Sequence, residues 1–241
     1  MTFAISNTPL DTVEALKRAP SVIKVKEIFR QSAEKYGFTS FLCAATPRPE
    51  EANYDPLLFD EWPAEWRARY RERRYYVRDP MLQEMFLTTE PFAWSDVLKR
   101  RRPSRADRAI VEDASSWEMC EGLVVPLYGI GGSIHGVTMA GRQPRIDGLA
   151  RAELHLVSIY ASARAKELKW RASDPVIRLS WRERDALQYA ALGKTDSEIG
   201  EILGITASAA HKRIESAKRK FGVYTRMQAV VEAIRQGQLH F

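Results

Sequence analysis

The stretch LSWRERDALQYAALGKTDSEIGEILGITASAAHKRIESAKRKFG, Leu179 to Gly222, carries its own punctuation. Ser180 with Glu183, and Thr195 with Glu198, stand at the spacing in which a hydroxyl caps a free amide three residues on while the carboxylate reaches back. Gly193, Gly204, Gly222 and Gly237 fall where a helix has to stop in a left-handed turn, the conformation that glycine tolerates best. The pattern predicts four helices, at about 181–192, 196–203, 207–221 and 226–236.

Only Gly204-Ile205-Thr206 separates the second helix from the third, so the two have to cross steeply, as in a helix-turn-helix. On a helical wheel Ala207, Ala210, Ile214, Ala217 and Phe221 of the third helix share an apolar face. Ser208, Ala209, Lys212, Arg213, Ser216, Arg219 and Lys220 point the other way. A small, polar and basic face of this kind suits the major groove of DNA, where small residues near the helix start let the backbone approach base edges. A solvated basic helix in an ordinary bundle would share the charge pattern but not the capped spacing.

The formal charge of +6 follows this segment: residues 175–241 hold 11 Lys and Arg against 7 Asp and Glu, which leaves +2 for the rest. A polyanionic partner fits that distribution. Cys43 and Cys120 are the only cysteines, too few for a disulfide scaffold and without metal-ligand spacing, and both read as core thiols. No apolar run approaches the about 18 residues of a membrane span, so a cytoplasmic protein is expected, with neither metal nor cofactor.

Upstream, residues 11–36 read as helix broken at Ala19-Pro20, with Val22, Val25, Ile28, Phe29 and Ala33 as its apolar stripe. Strands are expected at Phe38–Ala45, at Leu57–Phe59, and as a hairpin over Gly122–Tyr128 and Ser133–Ala140, with helices at 63–78, 80–87, 104–117 and 148–170. Within the first of those helices Trp66, Tyr70 and Tyr76 should look inward, and Arg67, Arg71 and Arg74 outward. The polar, Pro-terminated run 171–175 is the expected linker between a domain at 1–170 and one at 176–241. The fold class is therefore α+β: an α/β/α sandwich around an antiparallel sheet, followed by an all-α four-helix domain holding the helix-turn-helix.

Trp66, Tyr70, Asp79, Trp94 and Thr138 are the candidate binding residues of the first domain. A Trp offers one donor, a Tyr hydroxyl donates or accepts, and an ionised Asp only accepts. In an aromatic pocket that inventory suits a neutral ligand with an amide N–H and carbonyls. An ionised Asp79 buried without a partner would cost several kcal/mol, so a loosely packed, wet pocket completed by its ligand is expected.

Spacing adds a resemblance. The run Trp62-Pro63-x-x-Trp66-x-x-x-Tyr70, then Asp79-Pro80, Phe92-x-Trp94-Ser95-Asp96 and Gly122-x-x-x-Pro126, resembles the ligand-binding domain of LuxR-type quorum-sensing regulators. Leu179-Ser180-x-Arg182-Glu183-x-x-x-Leu187, with Gly193-Lys194-Thr195-x-x-Glu198-Ile199 and Leu203-Gly204-Ile205, is similar to that family's helix-turn-helix. The resemblance implies a transcription regulator that binds an N-acyl- or aryl-homoserine lactone and, as a homodimer, an inverted-repeat site on double-stranded DNA. Carried over, Trp66 would donate to the lactone carbonyl, Asp79 would accept from the amide N–H, and Tyr70 would bond the acyl carbonyl with help from Thr138. Trp62 and Trp94 would line the pocket, residues 46–60 would meet the acyl tail, and the helix from Glu153 to Trp170 would join the dimer. Glu118 stands where the family commonly has Gly, a change expected to reshape the pocket wall. The alternatives are a regulator answering a non-lactone signal and a lactone- or amide-processing enzyme using Cys120, His135 or Ser133.

Overall fold

The computed structural model describes residues 8–45, 57–101, 104–129, 134–170 and 177–239. These fall into two compact units, 8–128 with 134–170, and 177–239. In the first, α1 (Pro9–Arg18) starts on the Thr8 hydroxyl and α2 (Val22–Glu34) on that of Ser21. Pro20 lies between them because it lacks an amide hydrogen and disfavours helix at the preceding residue. Strands β1 (Ser40–Ala45) and β2 (Leu57–Asp60) follow, then α3 (Ala64–Glu72), α4 (Pro80–Met85), β3 (Phe92–Ala93), α5 (Trp94–Arg101) and α6 (Arg105–Ser115). The hairpin strands β4 (Glu121–Tyr128) and β5 (Ile134–Gly141) and the long helix α7 (Gly148–Trp170) complete the unit.

The five strands form one antiparallel sheet in the order β2-β1-β5-β4-β3. Alternation along β5 splits the two layers. Val137 and Met139 join Phe29, Phe41 and Leu154 in a core under α1, α2 and α7, whereas Ala140 joins Trp66, Trp94 and Met119 in a second core under α3 to α6. Helices on both faces of an antiparallel sheet make the expected sandwich.

The second unit is all helical: α8 (Trp181–Ala191), α9 (Asp196–Leu203), α10 (Ala207–Phe221) and α11 (Arg226–Arg235). Both capping boxes form, at Ser180/Glu183 and Thr195/Glu198, and Thr225/Gln228 makes a third. The four glycines expected at helix ends adopt φ of +63° to +80°. Gly200 lies where α9 passes α10, and a Cβ there would sit 2.8 Å from the Ile205 carbonyl oxygen and 3.0 Å from the Ala207 nitrogen. A side chain at that position would hold the two helices apart.

Candidate functional site

Pro63 caps α3, which places Trp66 and Tyr70 one turn apart on the face turned to the sheet. Trp66 is only 2% exposed. Its ring centroid lies 6.2 Å from that of Trp62, 5.8 Å from Tyr70, 6.0 Å from Tyr75 and 5.4 Å from Trp117. Trp62 and Tyr70 meet edge to face at 5.4 Å. These rings touch, so a closed aromatic stack stands where a loose, wet pocket was expected.

Tyr75 is buried in this stack, while Tyr76, expected inside, is 49% exposed. The cause is Arg74, whose left-handed backbone (φ +51°) ends the helical register and starts the 3-10 turn Tyr75–Val77. Arg67 forms an ion pair with Asp60, and Arg69 with Asp113, which also accepts from the Tyr75 hydroxyl at 2.9 Å. Burial pushes the Asp113 carboxyl up, but the Arg69 guanidinium and Tyr75 hydroxyl hold it below the usual carboxylate range.

Asp79 is not without a partner. Its Oδ2 accepts from the Tyr70 hydroxyl at 2.7 Å, and its Oδ1 accepts from the Met81 amide at 2.8 Å, which caps α4. The carboxyl group is buried although the residue keeps some exposed surface. Burial raises its pKa, and the Tyr70 hydroxyl and the Met81 and Leu82 amides only partly oppose this. Burial, and then Asp79 itself, lift the Tyr70 hydroxyl well above its ordinary value. Tyr70, expected to serve an acyl carbonyl, thus donates its hydroxyl hydrogen bond to Asp79.

Trp94 opens α5 and packs against β4 at Gly122, where a Cβ would stand 2.4 Å from its Cε2 and 2.6 Å from its Nε1. Gly122 is required there by the indole and not by the hairpin alone. Thr138 pairs across the ladder with Val124 and, by alternation, shares the sheet face of Ala140. The structure therefore brings Trp62, Trp66, Tyr70, Asp79, Trp94 and Thr138 to one face of the sheet. The Nε1 atoms of Trp62, Trp66 and Trp94 are buried with no hydrogen-bond partner among the described residues. Three orphan donors in one core are a marked departure from the rule that buried polar groups are paired.

Glu118 does not reshape this wall. Its side chain is exposed and faces Arg142 at 3.6 Å, and its backbone is left-handed (φ +63°), which explains why glycine suits the position. Of the candidate tail-binding segment, 46–56 lie outside the described residues. An open cleft of about 390 Å³ lined by Thr88, Glu90, Pro91, Phe92, Asp96, Lys99 and Arg100 contains none of the six candidate residues. Cys120, expected in the core, is exposed, and Cys43 is buried, which pushes its thiol up to about 12. His135 lies on the opposite sheet face, its Nε2 2.5 Å from Lys166 Nζ of α7, and Ser133 is outside the described residues. Cys120 and His135 stand at opposite ends of the β4–β5 hairpin and assemble no nucleophilic site among the described residues.

In the second unit Ala210, Ile214 and Ala217 of α10 are buried, Phe221 partly so, while Ala207 is exposed at the helix start. The seven outward residues divide in two. Ser208, Lys212 and Arg219 are exposed, with Ala209 and Arg213 half-buried on the flank. Ser216, half-buried, and Lys220, which keeps exposed surface, reach toward α8, where the Ser216 hydroxyl donates to Glu183 Oε1 at 2.7 Å and Lys220 Nζ to Oε2 at 2.6 Å. The wheel missed this because α10 packs against three helices, α8, α9 and α11, and not against a single layer on one side.

Residues 22–165 match the family described as autoinducer binding domain, and residues 178–233 match bacterial regulatory proteins, luxR family. The quorum sensing-dependent transcriptional regulator RpaR of Rhodopseudomonas palustris is 33% identical over 228 residues, 95% of this chain and 92% of that protein. The transcriptional activator BjaR1 of Bradyrhizobium diazoefficiens is 29% identical over 228 residues, 94% of this chain and 93% of that protein. The crystal structure of Escherichia coli SdiA has the same fold, with a TM-score of 0.75 at 16% identity over 95% of this chain and 97% of that one. A second structure, SdiA in complex with octanoyl-rac-glycerol, gives a TM-score of 0.73 at 18% identity, over 97% of this chain and 96% of that one.

Proposed function

This chain belongs to the LuxR family of autoinducer-binding, DNA-binding transcription regulators, and we propose that its signal is an N-acyl- or aryl-homoserine lactone held in a domain spanning 1–170. The observation that carries this reading is the set of unpartnered indole N–H groups of Trp62, Trp66 and Trp94 beside one buried carboxyl group, Asp79. Such a lactone brings carbonyls that accept and one amide N–H that donates, the complement of that inventory. Trp66 donates to the lactone carbonyl and Asp79 accepts from the amide N–H. Because Tyr70 already donates to Asp79, the acyl carbonyl takes the indole N–H of Trp62. Thr138 and Trp94 close the sheet side. To enter, the ligand parts the ring stack, and its binding returns about 2.7 kcal/mol of stability at a hundredfold excess over Kd.

After a linker at 171–175, the domain at 176–241 presents Ser208, Ala209, Lys212, Arg213 and Arg219 to the major groove, without other cofactor and in the cytoplasm, where the chromosome lies. The regulator acts as a homodimer on an inverted repeat, since two-fold symmetric protein reads two-fold symmetric DNA. Support comes from α7, whose outer face carries Leu149, Ala152, Leu156, Ile159 and Ala163 at alternating three- and four-residue steps, with Ile159 42% exposed. Melting temperatures measured against a panel of acyl- and aryl-homoserine lactones test the ligand. A rise of several degrees in the wild type that Asp79→Asn abolishes is expected; no rise with any lactone overturns the reading.

A further inference from the structure

Glu183 is buried, and its carboxylate gathers four donors, two from Ser180 at the cap of its own helix α8 and two from α10. The Ser180 amide (2.6 Å), the Ser180 hydroxyl (2.9 Å) and Lys220 Nζ (2.6 Å) share Oε2, and the Ser216 hydroxyl (2.7 Å) takes Oε1. Ser216 and Lys220 are one turn apart in the C-terminal half of α10, so the two contacts grip that helix along a full turn. Lys220 Nζ reaches the Arg178 carbonyl as well, at 3.3 Å, and the Leu179 amide donates to Gln238 Oε1 at 2.8 Å, which pins the segment entering α8. Helix packing alone leaves a helix free to roll by small amounts about its axis. A charged node binding two positions on one flank removes that freedom.

We propose that Glu183 is a positioning residue for DNA recognition: through Ser216 and Lys220 it sets the roll of α10 against α8, and it withdraws the Lys220 ammonium from phosphate contact. The consequence separates two quantities that a basic helix would otherwise lose together. Loss of the node lets Ser208, Ala209, Lys212 and Arg213 swing relative to base edges, which lowers sequence discrimination. When the node is lost at Ser216 or Lys220, the number of phosphates neutralised, and with it the salt dependence of binding to arbitrary DNA, stays as it was.

The experiment uses the full chain and two probes, a random-sequence duplex and a duplex selected by the wild-type chain from a randomised library, with binding measured over a salt series. Glu183→Gln, Ser216→Ala and Lys220→Met are expected to lower the ratio of selected to random affinity by about tenfold. The salt slopes of Ser216→Ala and Lys220→Met on the random duplex are expected to match wild type, that of Glu183→Gln, which frees the Lys220 ammonium, to steepen by up to about 1, and that of Arg219→Met to fall by about 1. Should Glu183→Gln fail to fold, Ser216→Ala keeps the ion pair and the capping box, and it reads the same ratio. A wild-type ratio in Ser216→Ala and Lys220→Met overturns the proposal. So does a loss of about 1 in the slope of Lys220→Met, which would make Lys220 a phosphate contact.

Discussion

The Tyr70 hydroxyl donates to Asp79 Oδ2 at 2.7 Å inside the aromatic core, so a carboxyl group without a charged partner is held there by a phenol and the α4 amides. Because burial raises the Asp79 pKa above its ordinary value, the folded chain retains a proton that the unfolded chain has released. Its effect is therefore a loss of stability as pH rises from about 4 through the raised pKa, level thereafter. Asparagine keeps an oxygen for the Met81 cap but carries no charge and places an NH2 where Oδ2 stood. Asp79→Asn should remove this part of the pH dependence and equal or exceed wild type in melting temperature near neutral pH. Thermal melts of both proteins across the acidic to neutral range check it; a steeper alkaline loss in Asp79→Asn contradicts it.

Trp62 and Trp66 each bury an indole N–H without a partner, so their removal should cost the protein by itself little hydrogen-bond energy. Trp62→Phe and Trp66→Phe should each weaken binding of an acyl-homoserine lactone by about tenfold, the equivalent of one hydrogen bond worth about 1.4 kcal/mol. Isothermal titration with a lactone analogue lacking the acyl carbonyl separates them: Trp62→Phe should leave its affinity unchanged, and Trp66→Phe should not.

Two glycines hold open close approaches rather than turns. Gly122→Ala drives a methyl group into the Trp94 indole and to 2.7 Å from the Met139 carbonyl oxygen, and Gly200→Ala drives one into the backbone at Ile205 to Ala207. Overpacking of this kind costs about 1–3 kcal/mol. Urea denaturation should show the loss in the first unit for Gly122→Ala and in the second for Gly200→Ala, and the latter should also lose DNA binding.

Glu118 makes the opposite prediction. Its left-handed backbone costs an L-residue about 1 kcal/mol that glycine does not incur, and its exposed partner Arg142 returns little. Glu118→Gly should raise stability by about that amount without changing ligand affinity, as read by denaturant midpoint and titration.

How far the fold was legible depended on the range of the interaction that decided each feature. The ends of α8 to α11 were legible to within a residue, because capping hydroxyls and left-handed glycines act across three or four residues. Strands β1, β2, β4 and β5 and most of the sandwiching helices were legible from periodicity and Pro20, whereas β3 (Phe92–Ala93) and α5 (Trp94–Arg101) were not, because a two-residue strand has no periodicity to read. Less legible were orientations. Tyr75 rather than Tyr76 faces the core because one residue, Arg74, turns left-handed, and nothing in its type announces that.

By itself, then, the sequence determined where helices begin and end, that there are two units, and which polar atoms could serve a ligand or a duplex. Only tertiary packing decided how those atoms are used: Tyr70 serves Asp79, Ser216 and Lys220 serve Glu183, and three indoles are left with protons to give. The physical reason is that a hydrogen bond inside a core is set by which distant side chain arrives within about 3 Å, and that distance is a property of the packed chain rather than of any segment.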